Sequence, residues 1–155
     1  MARNSNPARA SCVCGAVQIT MHGRALSRFY CHCSICQRLN KAPFGDPVFV
    51  WRWNVHVEDP TQLTWKRYRW LPINLNRGTC QTCGTLILEH LAATPMSVVI
   101  GRAWEDPQLL PPAWGHIFYE SRVADVDDGL PKRSGYMSSE LAAFGWNLAG
   151  MFGRS

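Results

Sequence analysis

Along this chain apolar and polar positions alternate with a period of two more often than with the helical period. Val17, Ile19 and Met21 alternate with Gln18, Thr20 and His22, which predicts a half-buried strand. Phe49, Trp51, Trp53, Val55 and Val57 alternate with more polar neighbours and predict a second, ended by Asp59-Pro60. Leu63 to Leu71 predicts another strand, followed by a turn at Asn76-Arg77-Gly78. Leu86 to Leu88, Ser97 to Ile100 and His116 to Ser121 add three more. Pro and Gly mark loops at 41–47, 105–107 and 110–112 and a turn at 127–131. Helical signal is confined to a short turn over Ile35–Leu39 and to a C-terminal helix. Ser139 would cap that helix, with Leu141, Phe144, Leu148 and Met151 on one face, weakened by Gly145 and Gly150. The expected fold is mainly β, with short helices and a C-terminal helix. A length of 155 residues without an internal repeat predicts one domain over 11–155, preceded by a flexible leader over 1–10.

Composition narrows the class. An apolar fraction of 46% against 17% charged residues is that of a chain able to bury a core, which excludes disorder as the default. No apolar run approaches the ~18 residues of a membrane span. Residues 1–11 contain no apolar signal segment and the cysteines number seven, an odd count, so an exported disulfide scaffold is not expected. Clustered thiols point instead to metal binding in a reducing compartment, and the cytoplasm is the expected location. The formal charge of +5 overstates the basic character. Seven thiolates and two zinc ions would bring it to about +2, which makes a general nucleic-acid binder unexpected.

All seven cysteines fall into three tight groups: Cys12-Val13-Cys14-Gly15, Cys31-His32-Cys33-Ser34-Ile35-Cys36 and Cys80-Gln81-Thr82-Cys83-Gly84. Three thiols within six residues meet no packing need and suit a soft metal ion. Zinc takes four ligands at roughly tetrahedral geometry, and its structural sites are commonly all-cysteine. On a strand, Cys12 and Cys14 would project to the same face, and the Cys80–Cys83 turn could wrap the ion from the other side. That partition closes one four-thiolate site and leaves Cys31, Cys33 and Cys36 with three ligands and a vacancy, the pattern of a catalytic zinc. A second partition joins Cys33 and Cys36 to Cys80 and Cys83 as a zinc ribbon, leaving Cys12, Cys14 and Cys31 over. Spacing does not choose between them.

The order C-x-C-G, C-H-C-S-x-C, C-x-x-C-G-T resembles that of the glutathione-dependent formaldehyde-activating enzyme family, which includes centromere protein V. The likeness continues through Ala42-Pro43-Phe44, Leu109 to Pro112, His116-Ile117 and Asp128-Gly129-Leu130-Pro131, so it covers roughly residues 11–133. The resemblance implies a zinc-bound β-tent of small antiparallel sheets. It assigns Cys12, Cys14, Cys80 and Cys83 to a structural zinc and Cys31, Cys33 and Cys36 to a catalytic one, two ions per chain. It also implies a carbon–sulfur lyase that takes glutathione as co-substrate with formaldehyde, as an S-(hydroxymethyl)glutathione synthase does. Departures exist. Lys41 stands where members often have Gly, and Arg122-Val123-Ala124-Asp125 where an aromatic residue is common. The Trp-rich segment from Trp51 to Trp70 and the C-terminal helix lie outside the signature.

An open zinc with three thiolates can take a substrate thiol and deprotonate it, or polarise a carbonyl. Three thiolates donate strongly to the ion, which favours thiol capture over water activation. Arg28 and Arg38 flank the cluster and are candidate partners for glutathione carboxylates, with a solvated surface arginine as the plainer reading. His32 is a candidate acid/base, or else a polar residue on the outside of the zinc loop. His90 and His116 read as core histidines. Trp51, Trp53, Trp65 and Trp70 read as core, or as the lining of an aromatic pocket. Two alternatives remain at this level. One is a zinc enzyme of the same fold acting on another small electrophilic or aromatic metabolite. The other is a non-enzymatic zinc module that binds protein or nucleic acid, for which Trp65-Lys66-Arg67-Tyr68-Arg69-Trp70 interleaves bases and rings. Oligomeric state is not legible.

Overall fold

The computed structural model describes residues 7–69 and 74–153. In chain order the strands are β1 (Ala8–Ser11), β2 (Gln18–Met21), β3 (Ser27–Arg28), β4 (Tyr30–Cys31), β5 (Pro47–Trp51) and β6 (Val55–Val57). They continue with β7 (Leu63–Arg69), β8 (Asn74–Cys80), β9 (Leu86–Leu91), β10 (Met96–Ile100) and β11 (His116–Ile117). The helices are α1 (Ser34–Asn40) and α2 (Tyr136–Met151). The chain groups into two compact units, Met1–Ala25 with Phe49–Leu110 and Leu26–Val48 with Pro111–Ser155.

In the first unit, β1, β2 and β6 form a three-stranded antiparallel sheet. A second sheet runs β10-β9-β8-β7 with β5 on the far side of β10. Every residue of β10 is buried, which explains why 97–100 read as a continuous apolar run without alternation. Leu86, Ile87 and Leu88 of β9 and Val98 and Val99 of β10 supply the core of that sheet. Arg77 and Glu89, opposite each other on β8 and β9, form a buried ion pair with Nε 2.6 Å from Oε1.

Three expectations change in this unit. Residues 8–10, expected in the leader, are strand: Ala8–Ser11 pair with β2, and Ala10 is fully buried, because the apolar face of β2 needs cover. Residues 1–6 lie outside the described residues. The alternating run over 49–57 is two strands in two sheets, broken by a 3₁₀ turn at Arg52–Asn54. Arg52 holds the break, since its Nη2 donates to the carbonyls of Leu91, Thr94 and Met96 at 2.8–3.3 Å. The expected turn at 76–78 is the middle of β8, with a register irregularity at Gly78/Thr79 where the Trp65 ring lies over Gly78. Trp70 and Leu71 of the expected third strand lie outside the described residues.

In the second unit, β4 and β11 pair in parallel, Tyr30 with His116 and Cys31 with Ile117. The strand expected over 116–121 stops at Ile117, because Phe118 adopts a left-handed φ of 53° and starts a 3₁₀ turn at Tyr119–Ser121. Lys41, the position where family members often carry Gly, also has a left-handed φ of 50° at the C-cap of α1, so a glycine preference there is conformational. Helix α2 begins at Tyr136, three residues before Ser139. Ser139 does not cap it; its hydroxyl accepts the Phe118 N–H at 2.8 Å and is fully buried. Of the expected apolar face, Leu141, Phe144 and Leu148 point to solvent, and Met151 is half-buried. The buried positions are Ser139, Asn147 and Gly150. Asn147 accepts the Ser27 hydroxyl at 2.5 Å, and a Cβ on Gly150 would fall deep inside van der Waals contact with the Leu26 carbonyl. Gly150→Ala is therefore expected to cost about 3 kcal/mol or more of stability, measured as a lowered denaturation midpoint with unchanged m-value.

Candidate metal centres and a buried histidine pair

The first unit brings the Sγ atoms of Cys12, Cys14, Cys80 and Cys83 within 4.8 Å of one another. Two tight turns present them. Cys12 leaves β1 and its carbonyl accepts the Gly15 N–H at 2.9 Å; Cys80 ends β8 and its carbonyl accepts the Gly84 N–H at 2.9 Å. Both glycines take left-handed φ values, 78° and 71°, which is why a glycine follows each pair. Cys12 and Cys14 thus sit in a turn, not on one face of a strand as the spacing suggested. The turn still aims both sulfurs one way, with Val13 between them 90% exposed. Sγ–Sγ distances of 3.5 Å for Cys12–Cys14 and 3.7 Å for Cys14–Cys80 are far beyond a disulfide. They match the edge of about 3.8 Å that four sulfurs make around a tetrahedral zinc at about 2.3 Å. The donor set fits zinc.

The second unit gathers Cys31, Cys33 and Cys36 within the same 4.8 Å limit. Among the described residues no fourth His, Cys, Asp or Glu joins them. Cys31 ends β4, with its backbone N–H and C=O both bonded to Gly45 at 3.0 and 2.8 Å. Cys33 is the N-cap of α1, and its sulfur accepts the Cys36 N–H at 3.3 Å. Donation from Cys31 and Cys36 and from the first backbone amides of the helix brings the Cys33 thiol down to about 3, whereas Cys36 is pushed well above its ordinary value by its two neighbouring sulfurs and by burial. A thiolate-bearing triangle on the end of a helix suits a cation, and this group also fits zinc.

His32 lies between these ligands and is only 1% exposed, so it does not sit on the outside of the loop. Its Nε2 is 2.8 Å from His116 Nδ1, and His116 Nε2 is 2.7 Å from Asp128 Oδ2. Burial pushes the Asp128 carboxyl up, but hydrogen bonds from His116, the Leu130 N–H and Lys132 hold it at about 2. An ionised Asp128 requires Nε2–H on His116, and when that is the ring's one proton, its Nδ1 accepts from Nε2–H of His32. Desolvation, and then the charges of its neighbours, lower His32 to about 4, so it is the neutral imidazole at neutral pH. His32 Nδ1 meets no partner among the described residues. Phe44 and Tyr119 pack on the His32 ring, each with centroids 5.1 Å away. The His32 ring is thus enclosed by Phe44, Tyr119 and His116. His116, read from sequence as an ordinary core histidine, is its partner. Asp128 was legible only as part of a turn motif.

Arg28 does not reach out for a carboxylate ligand. Its Nε and Nη2 bind Asp46 bidentately at 2.7 and 2.9 Å, and its Nη1 donates to the Pro111 carbonyl at 3.2 Å. Arg38 is exposed on the last turn of α1, two residues beyond Cys36. Glu140 of α2, which sequence reasoning passed over, has its carboxyl raised by burial and by the charge of Cys33, placing it within electrostatic reach of the three-thiol group. In the first unit, Trp51 and Trp53 stack with centroids 4.8 Å apart, and Trp53 is 67% exposed, so it is not core. Trp65 stacks on His90 at 4.7 Å, and Arg77 lies 4.3 Å over the Tyr68 ring. The rings of the basic segment are thus engaged within the protein, which weighs against a base-stacking surface; Trp70 lies outside the described residues.

No helix of the described residues is long and apolar enough to cross a membrane. A crystal structure of a Rhodobacter sphaeroides protein aligns with a TM-score of 0.53 over 70% of this chain and 98% of that chain, at 21% identity. At that identity the likeness speaks for the fold alone, which in this chain is mainly β with small sheets and two helices. No curated protein matches the sequence. The sequence model described as glutathione-dependent formaldehyde-activating enzyme matches residues 7–121. Since that stretch holds all seven cysteines, and with them both thiol groups, the chain belongs to the glutathione-dependent formaldehyde-activating enzyme family.

Proposed function

We propose that this chain is a carbon–sulfur lyase that joins glutathione to formaldehyde or a related small aldehyde. The observation that carries the reading is the contrast between the two thiol groups: four sulfurs enclose one position, three surround the other. The first would hold a structural zinc through Cys12, Cys14, Cys80 and Cys83. The second would hold a zinc through Cys31, Cys33 and Cys36 with one position left for a guest. A zinc bound there would supply a Lewis acid that lowers the pKa of a substrate thiol.

The remaining work falls to the chain. Helix α1 and the Gly45 pairing fix the three sulfurs, and the His32–His116–Asp128 chain keeps their loop from shifting. Exposed Arg38 is placed to pair with a glutathione carboxylate. In the forward direction a sulfur–carbon bond forms, the carbonyl π bond opens, and the thiol proton ends on the carbonyl oxygen. No oxidant or reductant is needed. The thiolate ligands require a reducing compartment, and the cytoplasm is the location we assign.

Isothermal calorimetry of the zinc-loaded protein with glutathione tests this. Saturable binding that disappears in Cys36→Ser is the expected result, with the adduct detected by proton NMR when formaldehyde is added. Absence of heat at millimolar glutathione would overturn the reading.

A further inference from the structure

Helix α2 is built inside out. A surface helix ordinarily turns its apolar stripe to the core, yet this one buries Ser139, Asn147 and Gly150. It exposes Met137 (67%), Leu141 (65%), Phe144 (68%) and Leu148 (43%), with Phe152 (78%) just past its end. Beside Trp146, which packs on Phe29, three inward positions are not free to be apolar, because Gly150 must clear the Leu26 carbonyl and Ser139 and Asn147 each satisfy a hydrogen-bonding partner. Nothing comparable dictates the outward residues. Their spacing of four, three and four is the 3.5-residue period of a helix–helix seam. A shallow groove of about 610 Å³ runs beside this ridge, lined by Arg133, Ser138, Leu141, Ala142, Gly145 and Trp146.

We propose that this face docks a second copy of the same chain across a two-fold axis near Phe144 and Gly145. Ridge and groove lie side by side on one helix, so a two-fold operation sets each ridge into the other copy's groove, as an isologous interface requires. Gly145 leaves the hole open: a Cβ there would meet nothing within 4 Å. The exposed side chains offer roughly 600 Å² per copy and about 1,200 Å² in the pair, the lower end of stable interfaces. The helix itself carries one acidic side chain, half-buried Glu140, and the groove one basic side chain, Arg133, so the seam offers no strong single-sign complement to a charged partner.

Sedimentation of the zinc-loaded full chain from about 1 to 200 µM tests the proposal. The expected species is a dimer, twice the 17.5 kDa chain mass. Phe144→Glu should raise the dissociation constant at least about 100-fold by burying a charge in the seam, with unchanged circular dichroism and zinc content. Val123→Glu, at a position 67% exposed and outside both ridge and groove, should leave the dimer intact. A parent that stays monomeric at the highest concentration overturns the proposal, as does a dimer that survives Phe144→Glu. Partition of a monomeric parent onto phosphatidylcholine vesicles, lost in Phe144→Glu, would assign the face to a lipid surface instead.

Discussion

Replacing Cys80 with Ser is expected to abolish cooperative thermal unfolding, whereas Cys36→Ser should leave the chain folded and short of one zinc. The four-sulfur group ties Cys14 to Cys80 across 66 positions. A structural zinc contributes on the order of 10 kcal/mol to folding, comparable with the whole stability of a small protein. Losing one of four ligands there removes most of that contribution. The three-sulfur group has other supports: Cys31 is paired through its backbone to Gly45, and α1 is capped by Cys33. Circular dichroism melts together with zinc per chain by elemental analysis separate the two variants. The opposite pattern, in which Cys36→Ser collapses and Cys12→Ser stays intact, would return the zinc-ribbon pairing that spacing alone permitted. The structure puts Cys33 and Cys36 in one group and Cys80 and Cys83 in the other.

Asp128→Asn carries the second large effect, and it travels through protons. Oδ2 of Asp128 accepts from His116, while Oδ1 accepts from the Leu130 N–H and Lys132. An asparagine must turn its NH₂ toward one of these donors. Facing His116, it forces the imidazole to carry its proton on Nδ1, which then faces His32. His32 must respond by holding its own proton on Nδ1, a buried atom with no acceptor among the described residues. A stranded buried donor costs about 1–3 kcal/mol, and the lost charge-assisted bond adds to it. We expect a loss of about 2–4 kcal/mol in unfolding free energy. Affinity of the Cys31, Cys33 and Cys36 group for added zinc should fall about 10–100-fold, as when other outer supports of a metal loop are removed. Chelator competition measures the second effect, and the four-sulfur zinc should be unaffected. Nitrogen-15 shifts of the two rings should reveal the tautomer change, which packing damage alone would not produce; unchanged shifts would refute the relay. The Asp128 carboxyl lies at about 2, below its ordinary 3.8. Its contribution is therefore complete above pH 3.8 and is lost only as pH falls toward 2, so the full penalty applies at neutral pH.

Strand content was legible because a half-buried strand writes its burial directly into alternate residues, as in β2. The same signal misled at 49–57. Alternation continued across Arg52–Asn54, and only the three carbonyls collected by Arg52 reveal the break. Gly78 read as a turn because glycine is a turn residue, yet there it makes room for the Trp65 ring inside a strand. Arg28 read as a ligand-binding cation because it flanks the thiols, and nothing nearby in sequence announced Asp46.

By itself the sequence determined the donor chemistry and the family: seven thiols in three short motifs, each read within six residues, with the ordering of those motifs as the signature. These are local properties, because a metal ligand is recognised by its type and its immediate neighbours. Only the tertiary structure decided which thiols come together, that His32 is enclosed and wired to Asp128, and that α2 turns its apolar side outward. Each depends on contacts between positions far apart in the chain. For α2 the periodicity identified a face correctly but could not say which side the rest of the protein would take. Close backbone approach at Gly150 and two buried hydrogen bonds chose the polar one.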